Sequence, residues 1–232
     1  MVAFARIRKA ALARHGATEL AARMPAVKSA AALKRLTDDR YFSQMSLRIF
    51  RAGLKHSVVD AKWPAFEEAF RGFDPRRVRA MRDEEVEDLM KDARLIRHLG
   101  KLRAVHDNAA AFIALAADKG GMGKYLADWP GEEITQLWDD LAKRFAQMGG
   151  NSTPRFLRMI GKDTFLLTPS VVAALDHWGA FKGEPKSKAD RAKVQAVFNA
   201  WVKETGLPLG HLSMTLAASI DEGAGPGQPP QH

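Results

Sequence analysis

The apolar positions of this chain recur almost everywhere at helical spacing. Tyr41, Phe42, Met45, Ile49 and Phe50 follow one another at intervals of three and four, behind Asp38 or Asp39 as a helix opener. Trp63, Phe66 and Phe70 predict the next helix, with Pro64 in its first turn, where a missing N–H costs nothing. Asp74-Pro75 restarts the chain ahead of Val78 and Met81, and Asp83 to Leu95 places Val86, Leu89 and Met90 on one face. The pattern continues through residues 101–116, 132–147, 153–160 and 169–178. A final stripe over 188–204 holds Val194, Val197, Phe198 and Trp201. Residues 17–36 are Ala-rich and interrupted by Pro25. No segment alternates with the period of a strand, so the predicted class is all-α.

Breaks in the pattern suggest the organisation. Residues 1–37 read as a basic N-terminal arm and 38–182 as the main helical domain. Beyond the linker Gly183 to Ser187, residues 183–220 read as a helical extension packing on the core, and 221–232 as a Gly/Pro-rich disordered tail. The sharpest break is the Gly149-Gly150 turn. Asn151, Ser152 and Thr153 after it are all good N-caps, and Pro154 suits a first helical turn. Such a turn points backbone N–H groups outward, ready for an anion. An ordinary interhelical turn has the same composition, so the turn alone does not choose between the two.

Composition narrows the chemistry. The 46% hydrophobic content supplies a core for the 232 residues, yet no apolar run approaches the roughly 18 residues of a membrane span. There is no cysteine, which excludes disulfides and thiolate metal sites and agrees with a reducing cytoplasm. The net charge of +9 is uneven: residues 1–37 hold eight Lys/Arg and one acid, giving +7 there. Such an arm steers toward a polyanion or forms a solvated helix face. The seven histidines include no HExxH, so no zinc or other cofactor is expected. Gly120-Gly121-Met122-Gly123-Lys124 lacks the Ser/Thr and the preceding strand of a phosphate loop.

Three segments remain: RIFRAGLKHSVVDAKW (48–63), the stretch from FDPRRVRAM through ARLIRHLGKLRAVHDNA (73–109), and the Gly149 turn. Their order and spacing resemble the DNA-3-methyladenine glycosylase I family of the helix-hairpin-helix glycosylase superfamily, over roughly residues 38–180. The resemblance implies two helical lobes with a pocket between them. It also implies a hairpin that grips DNA phosphates, and hydrolysis of the N-glycosidic bond of a flipped, alkylated purine, 3-methyladenine first. The implied partner is double-stranded DNA carrying alkylated bases, met by a monomer with no membrane, metal or cofactor. DNA contacts are assigned to Leu54 as a wedge, to Arg97 and Lys101, and to Gly149, Gly150, Asn151, Ser152 and Thr153 as the hairpin. The base pocket is assigned to Tyr41, Arg48, His56 and Trp63.

Two departures stand out. The family's zinc clasp of Cys and His is absent. Arg48 and His56 also occupy the positions of the family's base-contacting glutamate and pocket tryptophan, while Thr168 stands where the superfamily's catalytic aspartate falls. His56 and Asp39 are the remaining catalytic candidates. The sequence leaves Arg48 free to point away, pair with Asp39 or Asp60, or bind a phosphate. A homologue that binds damaged or distorted DNA with weak or no catalysis is the alternative reading.

Overall fold

A computed structural model describes residues 2–221, and every regular element among them is helical. In chain order the α-helices are α1 (Phe4–Ala22), α2 (Ala30–Arg35), α3 (Asp38–Arg51), α4 (His56–Ala69), α5 (Pro75–Arg79), α6 (Asp83–Asp88), α7 (Leu99–Lys119), α8 (Met122–Asp128), α9 (Ile134–Arg144), α10 (Ser152–Ile160), α11 (Pro169–His177), α12 (Lys188–Thr205) and α13 (Leu209–Ala217). The tail expected to be disordered lies, apart from Asp221, outside the described residues.

Contacts divide the chain into two compact units, one of residues 28–129 and 137–162, the other of residues up to 27, 130–136 and from 163 onward. The boundaries expected at 37/38 and 182/183 do not follow this division, for reasons visible in the packing. Residues 4–22 are not a free arm, since α1 buries Phe4, Ile7, Ala11 and Leu20. The Phe4 ring lies 5.4 Å from Trp201, and the Trp201 indole N–H donates to the Val2 carbonyl at 3.1 Å. Arg6, Arg8, Lys9 and Arg14 occupy the exposed face of α1. Residues 163–182 join the C-terminal helices: Phe165 stacks on Phe198 at 4.3 Å, and Asp163 accepts from the first amides of α13, Leu209 and Gly210, at 2.9 Å each.

The other unit is built on α3, α4, α7 and α10 around a chain of rings. Phe42 lies 4.8 Å from Phe112, Phe112 lies 5.0 Å from Phe145, and Phe50 lies 4.5 Å from Phe66. The α2 helix packs here against α8, where a Cβ added to Gly123 would sit 2.6 Å from the Leu33 carbonyl oxygen.

Two sequence expectations need correction in this unit. Pro64 is interior to α4, which starts at His56 because Gly53, at φ 77°, closes the preceding turn early. The missing Pro64 N–H deprives the Asp60 carbonyl of its helical donor, a loss tolerated because Pro64 and Asp60 are exposed. Residues 83–95 are not one helix either. The Asp92 carboxylate accepts the Arg94 amide at 2.9 Å, a local bond that competes with helix propagation.

Candidate base cavity and DNA-binding turn

The chain from α9 to α10 turns through Phe145 to Asn151, with positive φ at Gln147 (62°) and Gly150 (57°). Asn108, a buried side chain of α7, fixes the start of this turn. Its amide donates to the Ala146 carbonyl at 3.1 Å, and its carbonyl accepts the Ala146 N–H at 2.7 Å. The Thr153 hydroxyl donates to the Met148 carbonyl at 2.6 Å, and the Ser152 amide to the Gly149 carbonyl at 3.1 Å. Ser152 and Thr153 are buried braces of the turn and do not face solvent. Asn151 makes no side-chain cap. Gly149, Gly150 and Asn151 are exposed, and among the described residues their N–H groups have no backbone acceptor. The result is a rigid turn presenting open donors at the positive end of α10.

The residues singled out from the sequence separate in space. Tyr41 is fully buried and gives its hydroxyl to the Leu33 carbonyl at 2.8 Å, so it belongs to the core. Burial, with Asp38 nearby, pushes its phenol up to about 12. Lys101 is buried as well. Its ammonium caps α3 by donating to the Ala52 carbonyl at 2.6 Å and the Phe50 carbonyl at 3.3 Å, which removes it from the DNA contacts. Leu54, His56 and Arg97 are exposed. Asp39 is bound by Arg40 at 2.8 Å. Thr168 caps α11, accepting the Val171 amide at 3.2 Å.

Of the four base-pocket candidates, Trp63 lines a cavity. This cavity, about 340 Å³, is formed by Lys28, Leu36, Arg40, Ser43, Gln44, Trp63, Glu67, Met159 and Ile160. Its volume falls within the range of small-ligand sites. A hydrogen-bonded relay runs along its wall: the Trp63 indole N–H donates to the Ser43 oxygen at 3.1 Å, and the Ser43 hydroxyl donates to Glu67. Arg40 grips both Glu67 oxygens at 3.1 Å, and this bond, ahead of its bond to Asp39, raises the guanidinium pKa. Asp39, Arg40 and Glu67 carry one net negative charge, which Lys28 in the same lining balances. Sequence reading did not select Arg40, Ser43, Gln44 or Glu67. The available signal was the four-residue spacing of Trp63 and Glu67, which puts an aromatic ring and a carboxylate on one helix face.

Arg48 lies apart from this relay. It is 7% exposed, and its Nε has no hydrogen-bond partner. Burial, then Arg155 and Arg51, depresses its pKa, and Arg48 in turn adds to the burial that lowers Lys101. Neither acid considered from the sequence reaches it: Asp39 is held by Arg40, and Asp60 by Arg51 at 2.8 Å.

Among the described residues no cluster of His, Asp and Glu could hold a metal ion, and no helix is long and apolar enough to cross a membrane. A sequence model of the family described as methyladenine glycosylase matches residues 32–153. DNA-3-methyladenine glycosylase 1 of Escherichia coli K12 is 38% identical over 76 residues, and the Haemophilus influenzae DNA-3-methyladenine glycosylase 34% identical over 76. Each alignment covers 33% of this chain and 41% of the relative, so the chain spans about two fifths of the curated relatives it matches. The crystal structure of 3-methyladenine DNA glycosylase I from Staphylococcus aureus aligns with TM-score 0.50 and 22% identity, over 64% of this chain and 88% of that one. The 8-oxoguanine DNA glycosylase of Methanocaldococcus jannaschii aligns with TM-score 0.51 and 15% identity, over 92% and 91%. These likenesses give the fold as that of the helix-hairpin-helix DNA glycosylases. The family match runs from α2 into the first turn of α10, over more than half of the sequence, and this chain belongs to the methyladenine glycosylase family.

Proposed function

We propose that this protein is a monofunctional DNA glycosylase that releases alkylated purines, 3-methyladenine foremost, from double-stranded DNA. The observation that carries the reading is the cavity in which Trp63 and Glu67 stand together in a chain of this family. The Gly149–Asn151 amides hold the phosphate backbone, and the lesion swings out of the stack, at a cost of about a few kcal/mol that is smallest for damaged bases. Trp63 offers a stacking surface worth about 1–3 kcal/mol per base. An N3-alkylated adenine is a cation with a weakened glycosidic bond. The Glu67 carboxylate and the Trp63 ring favour that cation, and Gln44 supplies a polar contact to the base edge. Water is the nucleophile, so no Schiff-base lysine and no metal take part. The chain acts as a monomer, and its cysteine-free composition suits the cytoplasm.

A base-release assay on methylated duplex DNA tests the reading. Free 3-methyladenine is expected with the native chain, and Glu67→Gln is expected to slow release about 10- to 100-fold while leaving affinity for undamaged duplex unchanged. Arg48 at the family's glutamate position favours a second reading, a homologue that recognises damaged or distorted DNA without excising the base. Tight duplex binding with no base released by the native chain would decide for that reading.

A further inference from the structure

The least explained charge in the molecule is Arg48. Its side chain is more than nine-tenths buried, its Nε is unpaired, and the charged groups acting on it are cations. Arg51 spends its charge on Asp60, and Lys101 spends its donors on the carbonyls ending α3. Arg155, half-buried in the first turn of α10, is paired with no acidic side chain among the described residues, and neither is Arg48. A buried lysine in such a place could lose its proton, but a guanidinium stays charged in proteins. The free protein therefore keeps two mutually repelling guanidinium groups on helices that pack together, α3 and α10, with no acidic side chain among the described residues paired to either. An oxyanion bridging them would turn mutual repulsion into two charge-assisted contacts, and the guanidinium fork matches phosphate geometry. Arg155 is also four residues beyond Asn151, the last open amide of the turn.

We propose that Arg48 and Arg155 form a phosphate-binding site whose ligand is a phosphodiester of the strand held at the Gly149–Asn151 turn, so that Arg48 gains its counter-ion only when DNA is bound. The phosphodiester source rests on the DNA-binding half of the proposed function; the phosphate site does not.

The test compares the native chain with Arg48→Met and Arg155→Met. Melting temperature is measured in inorganic phosphate against chloride at matched ionic strength, and affinity for an undamaged duplex is measured across a salt series. The native chain is expected to melt higher in phosphate, and both variants are expected to lose most of that increment. Arg48→Met, which replaces an unpaired buried charge by an apolar group of similar length, is expected to melt higher than the native chain in chloride. The slope of log affinity against log salt is expected to shrink by about 0.9 in Arg48→Met, one phosphate contact. An equal phosphate increment in all three proteins overturns the site. An increment lost in Arg48→Met together with an unchanged salt slope keeps the site and overturns its DNA source in favour of a free phosphate compound. A native chain with no salt-dependent duplex affinity overturns the DNA reading itself.

Discussion

Asn108→Ala separates the rigidity of the turn proposed to grip DNA from its chemistry. Asn108 is 2% exposed and holds Ala146 through two bonds, 3.1 Å from its amide and 2.7 Å to its carbonyl. At about 1 kcal/mol each, two neutral bonds bring the expected loss of stability to about 2 kcal/mol. For a chain of this size that is a fall in Tm of roughly 4–8 °C, readable by thermal or urea unfolding. The second consequence is functional. A turn released from α7 must be re-ordered on binding, at about 1–2 kcal/mol for each residue fixed, so duplex affinity should weaken roughly tenfold. Fluorescence anisotropy of a labelled duplex measures this. Asn108→Asp is the control: it keeps an acceptor for the Ala146 N–H but sets a carboxylate oxygen against the Ala146 carbonyl, and should be no more stable than Asn108→Ala. A variant that loses the expected stability but binds duplex as tightly as the native chain would refute the turn as the DNA grip.

Other consequences are simpler to state. Gly150→Val forces a β-branched residue to φ 57°, and should weaken binding to every duplex sequence alike by anisotropy; unchanged affinity removes the turn from the interface. Gly123→Ala drives a methyl to 2.6 Å from the Leu33 carbonyl and should cost about 1–3 kcal/mol in urea unfolding, because backbone must move to admit it. The bonds of Lys124 and Lys34 hold the Asp128 carboxyl at about 2, below its ordinary 3.8. Its contribution to stability is therefore complete above pH 3.8 and disappears as pH falls toward 2, and Asp128→Asn should flatten the acid limb of the stability curve over that window.

Most of the helices are legible because a buried stripe repeats at three and four whatever its partner, whereas α1, α8 and α13 are not among those read from the sequence. The start of α4 is not legible either, since Pro64 is a strong local signal for a helix start and the Gly53 turn, closed locally by the Leu54 N–H on the Arg51 carbonyl, overrides it. The turn proposed to grip DNA is readable in Gly149-Gly150, but what fixes its start lies in Asn108, thirty-eight residues before Ala146. The basic N-terminal segment misled for a related reason. Its charge is real, but Phe4, Ile7 and Ala11 on the opposite face of α1 dock it into a unit with the C-terminal helices. Lys101 looked like a phosphate contact by charge alone, whereas the open carbonyls at the end of α3 claim its ammonium.

Two charges, on Arg48 and Glu67, matter most for the proposed function. A unit cation about 4 Å from a permanently charged guanidinium costs about 4 kcal/mol at the effective dielectric of a protein site. That is more than a stacking contact or a single hydrogen bond returns, so a cationic alkylated base is poorly placed against Arg48 even though the family resemblance sets Arg48 at the base-contacting position. Trp63 and Glu67 suit that cation better, a ring face and a carboxylate standing together at a cavity where Lys28 and Arg40 balance the charges of Glu67 and Asp39. In the proposed phosphate site Arg48 and Arg155 suit the polyanionic strand instead. If the two roles are separate, Glu67→Gln should lower base release without altering the salt dependence of duplex binding. Arg48→Met should alter the salt dependence while the Trp63–Glu67 cavity still binds free 3-methyladenine. One substitution that moved both readouts together would mean that base and phosphate share a single site, and the division of charge argued from this fold would be wrong.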